Sequence, residues 1–423
     1  MKSKKNIRPR PKKTHIQRST KCSLKFSNSG KLNFIEQFIQ EYTKACQQFI
    51  NILWENKDKE IQSLLSKDIT SQVETNISAR AIQCCAKQAS SIVRGTIRKH
   101  NKRMFKLKEL MKNGKITKKL QKIIAKTKLT KPELEVINPE LDQRFIKVVT
   151  SNNSFDMWLK LSCTGIHETI HLPLKKHKHF NYLIEQGFSL SPGCRLSAQD
   201  ISFNFSKPKE LVKRTEGSKK ATDIGSLNVW TLNDGSSSQP CPHKHTLASI
   251  QKKMSRKKKG SKAFRRCQTH NIQHINWSLK QMNLDGVLEL RRENLWDMKR
   301  FKNTGRYLTH WNYREILSKL DRLCEEQGVL VTKVSPTYTS QRCSQCGWTR
   351  KSNRKGKIFK CGACGFTCDA DLNGSRNIVL ELPVITKEQR LSRINVKGFY
   401  WYEIGQEFIV PGVQGEIYLR SVE

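Results

Sequence analysis

Apolar residues at three- and four-residue spacing mark the first long element of the chain. Between residues 31 and about 56, Ile35, Phe38, Ile39, Tyr42, Cys46, Phe49, Ile50 and Leu53 fall on one stripe, with lysine and glutamine opposite. This pattern predicts an amphipathic helix whose stripe is packing surface. A second helix is predicted over about 76–112, capped near Asn76 or Ser78 and increasingly basic toward its end. Ahead of both, KCSLKFS at 21–27 alternates as a strand does, and SNSG ends it. From 141 to 215 the texture changes to short β-branched or aromatic segments, FIKVV, DMWLKLS, ETIHLPL and DISFNFS, separated by turn residues. They predict a small β-barrel that the 21–27 strand joins, with the helical region inserted between.

Length and charge sharpen this picture. A chain of 423 residues has room for about two to four compact units. Lysine and arginine number 79 against 36 acidic residues, a formal charge of +43. That is far beyond what solubility needs and fits a phosphate-rich partner, so nucleic acid is expected. Residues 1–21 carry nine basic side chains, two prolines and no acid, which predicts a disordered basic arm over 1–20. Residues 98–128 hold thirteen basic side chains and one glutamate, and 252–266 hold nine and no acid. Such runs are offset when each cation neutralises a phosphate. Arg98, Lys99, Lys102, Arg103 and Lys106 in the first run, and Arg256, Lys257, Lys258, Lys259, Lys262, Arg265 and Arg266 in the second, are the candidate backbone contacts.

No apolar run approaches a membrane span, and the basic start lacks the apolar core of a signal peptide. A soluble intracellular protein is expected. Fourteen cysteines then read as thiols and metal ligands, not as a disulfide framework. Four of them stand apart. Cys343-x2-Cys346 and Cys361-x2-Cys364, with fourteen residues between the pairs, have zinc-ribbon spacing, and two such knuckles complete a tetrahedral thiolate shell with no open position. The expected ion is one structural Zn²⁺.

Three acidic stretches form a second constellation. ATDIGSLNVWTLNDG at 221–235 reads as a strand ending in Asp223, a turn at Gly225 and a second strand. In LDGVLELRRENLWDMKR, Glu289 and Glu293 share one face of a β-prone segment by period-two alternation. DADLN supplies Asp369, Asp371 and Asn373. Converging carboxylates can hold the paired Mg²⁺ ions that phosphodiester hydrolysis uses, whereas thiolates suit Zn²⁺, so the two neighbouring motifs are expected to serve different metals.

These motifs occur together in one family. VSPTYTSQRCSQCG, FKCGACGF and CDADLNGSRNI resemble the C-terminal signature of the TnpB transposon-encoded RNA-guided nucleases and the related miniature type V CRISPR effectors. TDIGSLNVWTLNDG resembles their first RuvC motif, RKKKGSKAFRRC the basic stretch after it, and HWNYREILSKLDRLCEEQGV the helix before the ribbon. The match is dense across 215–378, moderate over 141–215 and architectural before 140. It implies that Asp223 is the first catalytic carboxylate. It implies that Asp371 is the last, since Asn373, Gly374, Ser375 and Asn377 follow it as in the family, leaving Asp369 as the less suited neighbour. Glu293, in Glu-Asn-Leu, fits the middle position, but Arg291 and Arg292 before it are unusual there and Glu289 stays open as the alternative.

The implied architecture is a multidomain α+β chain. It comprises a first wedge strand at 21–30, a helical recognition domain at 31–140 and a β-barrel wedge at 141–215. An RNase H-like RuvC nuclease domain follows at 216–338 and 369–386, interrupted by the zinc ribbon at 339–368. Residues 387–423 form an extension of unassigned role, aromatic enough to pack. The implied activity is Mg²⁺-dependent cleavage of guide-matched double-stranded DNA beside a short flanking motif, with guide RNA as partner and two catalytic Mg²⁺ ions. It further implies a prokaryotic cytoplasmic protein that acts at the nucleoid. Two other classes fit parts of the sequence: a nuclease-inactive RNA-guided binder or repressor, and a strand transferase acting without RNA.

Overall fold

The computed structural model describes residues 14–112, 128–150, 153–162, 164–165, 169–295, 310–385 and 398–402. The chain divides into two compact units, Met1–Pro208 and Lys209–Glu423.

In the first unit, α1 (Ser29–Glu55) starts where the Asn28 side chain accepts from the Lys31 N–H, and it buries the apolar stripe that its sequence spacing predicts. It packs on α3 (Ala79–Lys112). Small residues of α3, Ala81, Cys85 and Ala89, are fully buried. The buried Tyr42 hydroxyl donates to Gln88 Oε1 at 3.0 Å. The Ser78 hydroxyl accepts from the Ala81 N–H at 3.1 Å and caps α3. A short α2 (Lys67–Thr70) lies between the two long helices.

The strand expected at 21–27 begins earlier. β1 (His15–Ser23) runs antiparallel to β7 (Asp200–Pro208) along its whole length, from His15 opposite Pro208 to Ser23 opposite Asp200. Residues 15–20 are therefore strand and not disordered arm; the rest of the arm, 1–13, lies outside the described residues. Ile16, Thr20 and Cys22 are buried at even spacing with Arg18 half-buried between them, an alternation that the polar Arg18 and Thr20 on the inward face mask. In sequence the helices fall between β1 and the other strands. One sheet has the order β1, β7, β6 (Ser189–Leu196), β2 (Glu140–Leu141). A second antiparallel sheet of three contains β3 (Ile146–Thr150), β4 (Met157–Leu161) and β5 (Ile170–Leu174). Phe180 of α4 (Lys178–Glu185) meets Phe203 and Phe205 of β7 edge to face.

The second unit is built on a mixed sheet of order β11, β10, β8, β9. β8 (Ser218–Asp223) turns back antiparallel into β9 (Thr231–Leu232). After α5 (Leu247–Ser255) and α6 (Lys262–Lys280), β10 (Val287–Glu293) lies parallel to β8. α7 (Tyr313–Gln327) then crosses to the parallel β11 (Leu330–Val334). Trp230, Leu232, Leu279, Leu290, Ile316 and Leu320 are part of the core between sheet and helices. Gly328 ends α7 at φ 72°, and a Cβ there would lie 1.5 Å from the Val212 carbonyl oxygen, so only glycine fits. The chain continues through β12 (Trp348–Thr349), β13 (Arg354–Lys355), β14 (Ile358–Lys360) and β15 (Thr367–Asp369) into α8 (Ala370–Ile378).

Candidate active site

Two carboxylates leave the sheet at one edge. Asp223 ends β8 and Glu293 ends β10, and the register sets Arg292 opposite Thr222, so both acids stand at the C-terminal ends of adjacent parallel strands. α8 brings the third. Asp369 is its N-cap, its Oδ1 accepting from the N–H groups of Asp371 at 2.9 Å and Leu372 at 3.1 Å. That spends Asp369 on the helix start and puts Asp371 one step inside it, nearly buried at 4% exposure. A Cβ on Gly374, one turn along, would lie 2.9 Å from Asp223 Oδ2, and one on Gly225 would lie 3.4 Å from Asp371 Oδ2. The two glycines leave room beside the acidic side chains.

Burial raises the Asp223 pKa well above the ordinary carboxylate value, and the charges of Glu293 and Asp371 raise it further, against the opposing pull of Arg354 and Lys357. Burial likewise raises Glu293, opposed by a hydrogen bond from the Thr339 hydroxyl at 2.5 Å and by Arg354. Arg354 Nη2 donates to Asp371 Oδ1 at 3.0 Å, and Lys357 pairs with Asp371 Oδ2. Three carboxylates thus lie near enough to act on one another's charge, although their oxygens are not drawn within 4.8 Å of one another as the ribbon sulfurs are, and two cations from the β13–β14 hairpin are held against one of them. Sequence reasoning missed Thr339, Arg354 and Lys357, because nothing in their local spacing ties them to acids far away in the chain.

Glu289 does not join this group. It lies four residues back along β10, beside Lys219, and pairs with Arg291 Nε at 3.0 Å. Four strand residues separate it from Glu293 by roughly 13 Å. Arg291 also donates to the carbonyls of Val379 and Leu380 and to Glu381. Arg292, fully buried on the other face, makes a two-pronged pair with Asp321 of α7 at 2.8 and 2.7 Å. These partners account for two arginines in a buried strand.

The cysteine pairs form a second centre beside the acids in sequence. Cys343, Cys346, Cys361 and Cys364 place their sulfur atoms within 4.8 Å of one another. Cys343 and Cys364 are 3.8 Å apart, Cys346 and Cys361 3.6 Å, close to the separation of about 3.8 Å that a tetrahedral Zn–S bond of 2.3 Å sets. Among the described residues this is the one such group. Asn353 ties the knuckles together, donating to the Gln341 and Trp348 carbonyls and accepting from the Gly362 N–H. Asn373 of α8 donates to the Arg342 carbonyl at 2.7 Å and accepts from the Ser344 N–H at 2.9 Å. Asn377 donates to the carbonyls of Thr339 and Arg342. These two amides, one helical turn apart, fasten the helix bearing Asp371 to the first knuckle. From the extension of unassigned role, β16 (Phe399–Tyr400) pairs antiparallel with β12, and the Trp401 carbonyl accepts from Arg342 Nε.

Of the basic candidates, Arg98, Lys99, Lys102 and Arg103 are exposed on α3, and Lys106 lies on the same helix. Arg256, Lys257, Lys258, Lys259, Lys262, Arg265 and Arg266 are exposed around the start of α6. The segment 113–127 of the first run lies outside the described residues.

The profile of the Cas12f1-like TNB domain matches residues 313–378, from α7 through the knuckles to α8. The chain is 44% identical over 86 residues to the CRISPR-associated endodeoxyribonuclease Cas12f1 of Sulfoacidibacillus thermotolerans, covering 20% of each chain. It is 36% identical over 81 residues to a TnpB-like protein of Aquifex aeolicus, covering 18% of this chain and 26% of that one. Over these stretches the chain is similar to the TnpB and miniature type V proteins. Another relative, InsQ of Escherichia coli K12, which carries the name of an RNA-guided DNA endonuclease, is 27% identical over 190 residues, 37% of this chain and 47% of that one. These alignments span from about a fifth to about half the length of the three relatives. No described helix is long and apolar enough to cross a membrane.

Proposed function

We propose that this protein belongs to the TnpB family and is an RNA-guided DNA endonuclease that cuts guide-matched double-stranded DNA beside a short flanking motif, using Asp223, Glu293 and Asp371. The observation that carries the reading is the convergence of three carboxylates from two parallel strand ends and one helix, inside a strand order consistent with an RNase H-like RuvC core. The donor set fits Mg²⁺: all three groups are hard oxygen donors, and Gly225 and Gly374 leave the room that side chains would take. When bound, a pair of such ions supplies an activated water and stabilises the attacking and leaving oxygens of the phosphodiester.

The protein's own residues do the rest. Asp223, Glu293 and Asp371 hold the ions, Thr339 orients the Glu293 carboxylate, and Asn373 and Asn377 keep α8 in place. The ribbon cysteines hold one structural Zn²⁺. The exposed cations of α3 and of the α6 start neutralise nucleic-acid phosphates, while sequence is read by guide pairing. The sheets of the first unit serve as the wedge and its long helices as the recognition domain. The names of the relatives support this reading.

The test is purification with the native locus, sequencing of bound RNA, and incubation with matched or unmatched DNA in Mg²⁺ or EDTA. Mg²⁺-dependent cutting of matched DNA alone is expected. Matched binding without cutting identifies a guided binder instead, and absence of a discrete RNA removes the guided reading.

A further inference from the structure

A third cluster of metal-ligand side chains lies away from both centres. The turn Cys241-Pro242-His243-Lys244-His245 follows β9, and α6 carries His270 and His274 four residues apart, the spacing that puts two imidazoles on one helix face. Cys241 Sγ lies 3.9 Å from His270 Nε2. The rings of His245 and His270 meet edge on, centroids 5.1 Å apart. Bond lengths of 2.3 Å to sulfur and about 2.05 Å to nitrogen put two ligands of a tetrahedral ion roughly 3.6 Å apart and two imidazole centroids about 5 Å apart.

The backbone of the turn is the second observation. In each ribbon knuckle the first cysteine N–H donates to a carbonyl five residues on, Cys343 to Trp348 and Cys361 to Phe366, both at 2.8 Å. The left-handed glycine between, Gly347 or Gly365, donates back to that cysteine's carbonyl. The turn at 241 repeats this circuit one residue shorter. Cys241 N–H donates to the His245 carbonyl at 2.9 Å, and Lys244, left-handed at φ 58°, donates to the Cys241 carbonyl at 2.7 Å. A lysine in that conformation is strained where a glycine is not. A third observation concerns His274, which is buried with Nδ1 lacking any hydrogen-bond partner.

We propose that Cys241, His245, His270 and His274 form a second zinc-type site that clips the turn after β9 to α6. The thiolate and imidazole donors suit a borderline-soft cation and not Mg²⁺. The donor atoms are not fully drawn together, since only the ribbon cysteines converge within 4.8 Å among the described residues; the shell would close by turning the His245 and His274 rings toward Cys241 and His270. The clip uses none of the three carboxylates and fastens the middle of α6.

Zinc content per chain, measured on the full-length protein as purified after dialysis against a mild chelator, tests the site. About two equivalents are expected, falling to about one both in Cys241→Ser/His270→Gln and in Cys343→Ser/Cys346→Ser. X-ray absorption at the zinc edge of the unaltered protein needs no variant and should show nitrogen beside sulfur. One zinc per chain with an all-sulfur shell, unchanged by Cys241→Ser/His270→Gln, overturns the proposal.

Discussion

Arg354 Nη2 stands 3.0 Å from Asp371 Oδ1, so a side chain of the β13–β14 hairpin occupies an oxygen of the third carboxylate, with Lys357 on the other. Cations held there compete with a metal for the same lone pairs. Lys357→Ala is expected to lower the Mg²⁺ concentration for half-maximal cleavage by about tenfold, the equivalent of about 1.4 kcal/mol. Titrating cleavage against Mg²⁺ checks this. A higher requirement would mean that Lys357 serves the substrate phosphate and does not compete.

The two strand acids are expected to differ in role. Glu293→Gln should abolish cutting while leaving RNA and matched-DNA binding intact. Glu289→Gln, which only removes the charge paired with Arg291, should cut within a few-fold of normal. Single-turnover cleavage of the two variants side by side decides the matter, and normal cutting by Glu293→Gln would displace it from the site.

The pH dependence of stability follows from the raised acids. Asp223 and Glu293 bind protons more tightly folded than unfolded, since burial penalises their charged forms. Their contribution is therefore present below the ordinary carboxylate value of about 4 and lost as pH rises through the raised values. In EDTA the unit holding the acids should melt at falling temperature as pH increases over that window. Asp223→Asn should flatten the trend, and Mg²⁺ should restore the unaltered protein but not the variant. Melting curves across a pH series test all three.

Removing the Asn373 amide by substitution to Ala leaves the Ser344 N–H without its partner and the Arg342 carbonyl with Asn377 alone. The expected cost is about 1–3 kcal/mol. Because the amide holds the helix that carries Asp371, cleavage should fall by more than binding, with zinc content unchanged. Equal losses in both would make the role one of general folding.

Asp321→Ala strips the partner from the fully buried Arg292. It should cost about 3 kcal/mol, and Arg292→Met/Asp321→Leu distinctly less, because the loss comes from an uncompensated buried charge. Denaturant unfolding of the two variants separates these outcomes.

Much of this protein was legible locally. The stripe from Ile35 to Leu53 is buried as its spacing requires, β3, β4, β5 and β7 fall on the four segments named in the 141–215 region while β6 falls on none of them, and the two CxxC pairs bring four sulfurs together. Helix periodicity, strand alternation and chelating turns depend on residues a few positions apart, so they survive in a linear reading. β1 was harder: its inward positions are Ile16, Arg18, Thr20 and Cys22, two of them polar, and only pairing with β7, nearly two hundred residues away, selects the strand.

The choice between Glu289 and Glu293 belonged to tertiary structure. Both share one strand face and one local chemistry, and register against β8 puts Glu293, not Glu289, beside Asp223. The same holds for Arg354, Lys357 and Thr339, whose meaning comes from the acids they meet. Periodicity and chelate spacing are short-range properties carried by the sequence itself. The meeting of charges from β8, β10, the ribbon hairpin and α8 is set by which strands pair and which helix packs over them, and no window of sequence contains it.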